Sequence, residues 1–370
     1  MKLRDSMLFL SSPCGGDEEC DAVSSVIRSG WWGKGPKVDE LEKMFAKKVG
    51  CKHAVAVSSN TAGQDLILKA LDIKNCDIIN PTISFLTTSI VPKRNNCTSN
   101  IVDVDKRNLN ICPIDTKKNL RSNTKALIAV NMAGIPAPID DIRKFFDGFI
   151  IEDCAHACYA EGMGLKGDAA VWSFQAVKTT PCGDGGMITT NDDELAEKIR
   201  RLSWFGITST YDRTKNKKET EDKPGYAWEY EAHEVGYKYY MIDILAAIAI
   251  EQLKKNDLFM QKRREIQSLY NQKLKGIVET PSHSETVQYY IIRTESKYRN
   301  NLMDFLLTKN IHTGVHYKPL HLHPINKQNR NYPVADKEWL RLISLPCHNL
   351  MTLEDVNYVT YWINQYFKKK

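Results

Sequence analysis

A lysine, an aspartate and a run of small polar residues stand at positions along this chain where they could support covalent chemistry on a carbonyl. The stretch SFQAVKTTPCGDGGM at 173–187 sets Lys178 between the end of an apolar strand pattern and a glycine-rich turn. A lysine drawn partly out of water loses solvation of its ammonium, which lowers its pKa and frees the amine as a nucleophile. For a lone lysine a surface loop is the simpler reading, so the assignment depends on partners elsewhere. Asp153 closes the apolar run FIIED, and Ser59, Asn60 and Thr61 follow the run HAVAV where a helix is predicted to open. The free N–H groups and the dipole at a helix start attract a phosphate. An anion cradle, a carboxylate and a lysine at one sheet edge suit pyridoxal phosphate. The lysine bonds the aldehyde carbon, the aspartate keeps the pyridine nitrogen protonated as an electron sink, and the helix end holds the phosphate. Alone, Asp153 would read as a helix N-cap; its meaning comes from the set.

Such a set requires a scaffold that delivers all its members to one edge. Short apolar strands alternate with helical patterns from about residue 54 to 200. HAVAVSS, CDIINP, TSNIVDVD, KALIAVN, GFIIED and AAVWSF read as strands, while NTAGQDLILKALD and PIDDIRKFF read as helices. This alternation predicts an α/β fold with a mostly parallel sheet, its site at the C-terminal strand ends. From Met241 one long helical run leads to a smaller C-terminal α/β unit that closes on the helical LEDVNYVTYWINQYFKK. The expected division is a large domain over residues 1–250 and a small one over 251–370, as befits a chain too long for a single core. The charged stretch at 209–225 lacks apolar periodicity and reads as a loop.

Composition narrows the function classes. With 42% hydrophobic and 26% charged residues, the chain reads as an ordinary soluble protein. A net charge of +6 fits a small anionic ligand and gives no sign of nucleic acid. Apolar runs are too short to span a bilayer, no signal peptide is legible, and ten scattered cysteines suit a reducing cytosol. No G-x-G-x-x-G follows a strand, and neither a P-loop nor a G-x-S-x-G elbow is present. The cluster DCAHAC does not read as a metal site, because Cys154 and Cys158 would share a helix face from which His156 points away. The histidines of HTGVHYKPLHLHP at 312–324 lack acidic or cysteine partners at ligand spacing, so structural or substrate-contact roles are expected and no metal.

Taken together, SGWWGKGPKVDELEKMFAKKVGCKHAVAVSSNTAG, IIEDCAHA, GDAAVWSFQAVKTTPCGDGGMITTND, GYKYYMIDILAAIAIEQL and GVHYKPLH make the chain resemble, over nearly its whole length, the DegT/DnrJ/EryC1/StrS sugar aminotransferases of the aspartate aminotransferase superfamily. The resemblance implies a fold type I pyridoxal phosphate enzyme. It makes Lys178 the cofactor-bonding lysine and proton shuttle, Asp153 the partner of the pyridinium, and His156 the group near the cofactor's phenolic oxygen. Ser173, Asn60 and Thr61 become phosphate contacts, and Phe85 a ring over the cofactor face, with a core phenylalanine as the plain alternative. Trp31, Gly33, Lys34 and His316 are weaker candidates for substrate contact.

Departures from the family pattern matter most at GYKYYM, where many members read Gly-Tyr-Asn-Tyr-Arg-Met. Lys238 then replaces an asparagine that reaches the cofactor phosphate of a neighbouring subunit, a task a lysine can serve as a point charge. Asn60 stands where a glycine is common, and tolerates left-handed backbone. Because the nucleophile position holds lysine and not histidine, transamination is favoured over removal of a sugar hydroxyl. The resemblance implies L-glutamate as donor, and as acceptor the C4 ketone of a nucleotide diphosphate-linked 4-keto-6-deoxy hexose, as in members making viosamine or perosamine precursors. It also implies a homodimer in the cytoplasm. A C3 aminotransferase, a dehydratase or racemase using the same cofactor, and a non-catalytic regulator on the same fold remain the alternatives.

Overall fold

Helices α1 (Asp17–Ser29) and α2 (Pro36–Val49) precede β1 (His53–Val57), which runs straight into α3 (Asn60–Ala70). The alternation continues through β2 (Asp77–Pro81), α4 (Thr87–Arg94), β3 (Thr98–Val102), α5 (Pro113–Lys118), β4 (Thr124–Val130), α6 (Ile139–Arg143) and β5 (Phe149–Asp153). After β6 (Ala169–Ser173) come β7 (Gly186–Thr190) and α7 (Asp193–Ser203). The structure, a computed structural model, describes residues 1–157, 162–207, 211–212, 217–218, 230–281 and 287–369.

The seven strands form one sheet in the order β1-β7-β6-β5-β4-β2-β3, parallel throughout except for β7, which opposes both its neighbours. This is the expected α/β architecture. Strand centres such as Ile78–Ile79, Ala126–Ala129 and Ile150–Ile151 are sealed on both faces, which explains their unbroken apolar runs. β7 lies outside the predicted strands. It follows β6 through a connection, residues 174–185, with no crossover helix, so the strand–helix alternation carries no sign of it. Gly186 opens this strand for a steric reason: a Cβ there would stand 2.7 Å from the backbone nitrogen of Asn60. Only glycine lets β7 pass so close beneath the start of α3.

Downstream, the two-residue strands β8 (Tyr211–Asp212) and β9 (Lys217–Lys218) pair antiparallel; the rest of the charged 209–225 stretch lies outside the described residues, as does Cys158. The helical run from Met241 divides into α8 (Asp243–Lys254) and α9 (Asn256–Leu274) at Lys255. These helices serve different cores. α8 buries Ala246, Ala249 and Ile250 with Trp172 and Phe174 beneath the sheet, whereas α9 buries Ile266, Tyr270 and Leu274 in a second cluster. That second cluster is completed by β10 (Tyr290–Arg293), α10 (Ser296–Leu307), β11 (Leu342–Leu345) and α12 (Leu353–Phe367), with β10 and β11 paired antiparallel, while α11 (Pro333–Glu338) packs elsewhere through Ala335. Leu8 from the N-terminal segment joins it, its N–H donating to Asn310 and its carbonyl accepting from His312. The predicted helix PIDDIRKFF shortens to the five residues of α6.

A third cluster joins the two units. Ile83, Ile101, Val104 and Met132 from the strand ends meet Tyr289, Ile291, Leu320, Tyr332 and Leu342. At the outer strand β3 the carbonyls of Ser99 and Ile101 accept hydrogen bonds from Gln328 Nε2 at 2.6 Å and Arg330 Nη1 at 2.8 Å. No described helix is long and apolar enough to cross a membrane.

Candidate active site

The C-terminal ends of the parallel strands and the edge of the C-terminal unit enclose a cavity of about 520 Å³. Asn60, Thr61, Phe85, Asp153, His156, Ser173, Lys178 and His316 all line it. Each arrives by a short route. Asp153 ends β5, Ser173 ends β6 and Lys178 sits five residues beyond, while Asn60 and Thr61 open α3 directly after β1.

Asp153 is buried and accepts three hydrogen bonds: Asn60 Nδ2 at 3.0 Å and the Ala155 N–H at 3.0 Å on one oxygen, and Gln64 Nε2 at 3.0 Å on the other. Burial nevertheless pushes its pKa up; the N–H donors and the positive field of Lys178 only partly oppose this. The result is a carboxylate arranged for its ionised form with no cation in contact among the described residues. The side chain of Asn60 therefore donates to Asp153 and to the Val171 carbonyl, 3.1 Å away, which leaves its amide nitrogen engaged within the protein. What the start of α3 offers an anion is backbone: the first-turn N–H groups of Asn60 and Thr61 have no acceptor within the helix. Ser59 Oγ caps the Ala62 N–H at 3.1 Å, and the Thr61 hydroxyl meets that of Thr87 at 2.8 Å.

The opposite wall is aromatic, built from Tyr289, His316 and Tyr317 of the C-terminal unit and joined by His156 from the end of β5. His316 stacks on Tyr289 with ring centroids 3.8 Å apart, and its Nδ1 pairs with Ser344 Oγ at 2.8 Å. His156 Nε2 pairs with the Tyr317 hydroxyl at 2.7 Å while its ring stacks on that of Tyr317. Burial and the charge of Lys178 hold His156 well below the ordinary imidazole range and bring His316 to about 3, so both rings are neutral at pH 7. Burial and the neighbouring Tyr289 push Tyr317 up, which keeps its hydroxyl protonated. Phe85 is 60% exposed at the mouth, its ring tilted toward Tyr317 at 6.1 Å, so it is not a core phenylalanine.

Four sequence candidates lie elsewhere. Trp31, Gly33 and Lys34 form the turn before α2, in which Trp31 Nε1 donates to the Lys34 carbonyl at 2.9 Å and Gly33 accepts from the Asp243 N–H at 2.9 Å. Lys238 is exposed and bridges Trp204, outside this cavity. Conversely, Tyr289, Tyr317, Gln175 and Asp184 line the cavity without having been singled out. Tyr317 adjoins His316 in a quoted block, but Tyr289 sits in an apolar strand run whose pattern says only that it is buried.

The donor set fits pyridoxal phosphate. A half-buried amine, a buried carboxylate lacking a cation, an open helix start and an exposed ring at the mouth match an aldehyde, a pyridinium, a phosphate and a flat ring face. A sequence profile of the DegT/DnrJ/EryC1/StrS aminotransferase family matches residues 13–364. The spore coat polysaccharide biosynthesis protein SpsC of Bacillus subtilis is 34% identical, over 96% of this chain and 95% of its own length. The aminotransferase TlmJ of Streptoalloteichus hindustanus superposes with a TM-score of 0.90 at 27% identity, over 98% of this chain and 99% of its own. The putative sugar aminotransferase Spr1654 of Streptococcus pneumoniae in its PLP form superposes with a TM-score of 0.88 at 26% identity, over 98% and 99% of the two chains.

Proposed function

Because the chain belongs to the DegT/DnrJ/EryC1/StrS aminotransferase family and its fold is that of fold type I pyridoxal phosphate enzymes, we propose that it transfers an amino group from L-glutamate to the C4 ketone of a nucleotide-linked 4-keto-6-deoxy hexose. The observation that carries the catalytic part is the meeting of Lys178 and Asp153 in one cavity at the start of α3. Pyridoxal phosphate, when bound, supplies the electron sink that makes the carbon beside the transferred nitrogen acidic. Asp153, fixed by Asn60, Gln64 and Ala155, holds the pyridine nitrogen protonated. The first-turn N–H groups of α3, with Ser173, hold the phosphate. Lys178 moves the proton between the reacting carbons, since its amine is the basic group of the cavity not engaged in a neutral hydrogen-bonded ring system. His156 and Tyr317 border the same space and restrict water.

The blocks shared with 4-aminotransferases favour C4 over C3, and the polysaccharide role named for SpsC favours a sugar. The basic balance of the chain suits a substrate carrying a diphosphate. We place the enzyme in the cytoplasm as a homodimer in which Lys238 reaches the partner's cofactor phosphate; its exposure away from its own cavity suits that role. Lys238→Ala should then weaken cofactor binding about tenfold by titration, and unchanged affinity would remove that contact.

The deciding experiment follows the absorbance of the cofactor-loaded protein before and after L-glutamate. Loss of the visible band with release of 2-oxoglutarate supports transamination. A band insensitive to glutamate favours the dehydratase or racemase, and failure to bind cofactor at all favours a non-catalytic protein. NMR of the product of a 4-keto and a 3-keto nucleotide sugar then separates C4 from C3.

A further inference from the structure

Lys178 is held by more than its own loop. Its backbone N–H donates to the Gln175 carbonyl at 2.8 Å, and the preceding Val177 N–H donates to Gln175 Oε1 at 3.0 Å. The Val177 carbonyl, on the far side of the same peptide plane, accepts from Gln288 Nε2 at 2.9 Å. Gln288 belongs to the C-terminal unit, just before β10, and is 1% exposed. Its own backbone is anchored in turn. The buried guanidinium of Arg263 in α9 donates to the carbonyls of Val287, Gln288 and Cys347 at 3.1, 3.4 and 2.8 Å, and to Asn349 Oδ1 at 3.1 Å.

A peptide unit is planar, so fixing its C=O and its N–H fixes the N–Cα bond of the next residue, and only rotation about that bond is left to set where its side chain starts. We propose that Gln288 is a positioning residue for Lys178: it sets the plane of the Val177–Lys178 peptide and with it the N–Cα bond from which the lysine side chain enters the cavity, making registry of the C-terminal unit a condition of lysine reactivity. The inference rests on the aminotransferase reading above for what the amine reacts with, but not for the geometry. A loop held by Gln175 alone would leave the plane free to rock about one hydrogen bond. Small misplacements of a reacting group are costly because effective molarity depends steeply on orientation.

Two variants test this. Gln288→Leu keeps the bulk and removes the donor. Gln288→Glu keeps the shape, and its carboxyl can donate to the Val177 carbonyl only while protonated. The expected result is that Gln288→Leu slows attachment of pyridoxal phosphate to Lys178 about tenfold at every pH, read from growth of the visible band and from borohydride-fixed cofactor on the Lys178 peptide. For Gln288→Glu the slowing relative to wild type should grow as pH rises and vanish as the carboxyl protonates. Attachment rates equal to wild type in both variants, or slowing that merely tracks a fall in melting temperature without the pH signature, would overturn the proposal. In parallel, acylation of Lys178 by a succinimidyl ester is measured by peptide mass on cofactor-free protein. If wild type never binds cofactor, the functional reading fails, and an acylation rate at Lys178 that differs between wild type and Gln288→Leu still upholds the positioning; equal rates overturn it.

Discussion

The sheet-edge wall of the cavity and the C-terminal wall hold their polar groups in opposite ways. At the sheet edge, Asp153 is buried with hydrogen bonds suited to a charge and with no cation touching it, and Lys178 stands close enough to act on it through its field. Across the cavity, Tyr289, His316 and Tyr317 of the C-terminal unit are stacked and paired with His156, which reaches over from the end of β5, and both histidines are neutral. The first wall keeps charge available for chemistry; the second is a low-dielectric lid that raises the value of that charge. One wall without the other would be a solvated lysine or an inert aromatic pocket.

The comparison breaks most sharply at the lysine. Lys178→Ala should reduce amino transfer about 10⁴-fold while leaving the melting temperature near wild type, because the side chain is only half-buried; assay of 2-oxoglutarate release checks this. A smaller loss would place the proton transfer elsewhere.

Acid should attack the aromatic wall next. Unfolded histidine takes up a proton near 6.5, whereas folded His316 resists until about 3. In that window the unfolded state binds more protons, so the stability His316 contributes is complete above 6.5 and falls with pH below it. His316→Gln should flatten the pH dependence of unfolding by about 1.4 kcal/mol per pH unit between those values, read by urea denaturation of the cofactor-free protein. Asp153 acts in the other sense: its raised value means that ionisation costs stability as pH climbs from 3.8 through the folded value. Asp153→Asn should therefore not reproduce the His316 effect.

Two smaller changes sharpen the contrast. Gly186→Ala forces a methyl against the Asn60 backbone at the sheet edge and should cost about 1–3 kcal/mol, with weakened phosphate affinity in the same variant. Tyr317→Phe removes a single hydroxyl from His156 and should cost about 1 kcal/mol, visible as a small fall in melting temperature.

Legibility divides along the same line as the two walls. Asp153, Ser173 and the start of α3 were readable because each follows an apolar run, and a parallel α/β sheet delivers strand ends to one edge. Lys178 was readable only through its partners, since a lone lysine between strand and turn reads as a surface loop residue. β7 was hidden because an antiparallel neighbour needs no crossover helix, and Gly186 reads in sequence as an ordinary turn residue. The break at Lys255 was hidden because both halves of the run have helical periodicity; only their separate cores turn the chain. Tyr289, Tyr317 and Gln288 come from more than 100 residues beyond the lysine, and no local pattern marks a strand residue that will meet a cavity. Asn60 was placed correctly at the helix start, but its side chain spends its hydrogen bonds on Asp153, a partner 93 positions away.

The outer strand β3 has one more consequence. An unpaired strand rim is a template on which a second polypeptide can add itself, and in a crowded cell that is how sheets grow into insoluble fibres. Here Gln328 and Arg330 occupy the outward carbonyls of Ser99 and Ile101, so a passing chain finds those acceptors already taken. Two side chains thus guard the acceptor positions of the rim.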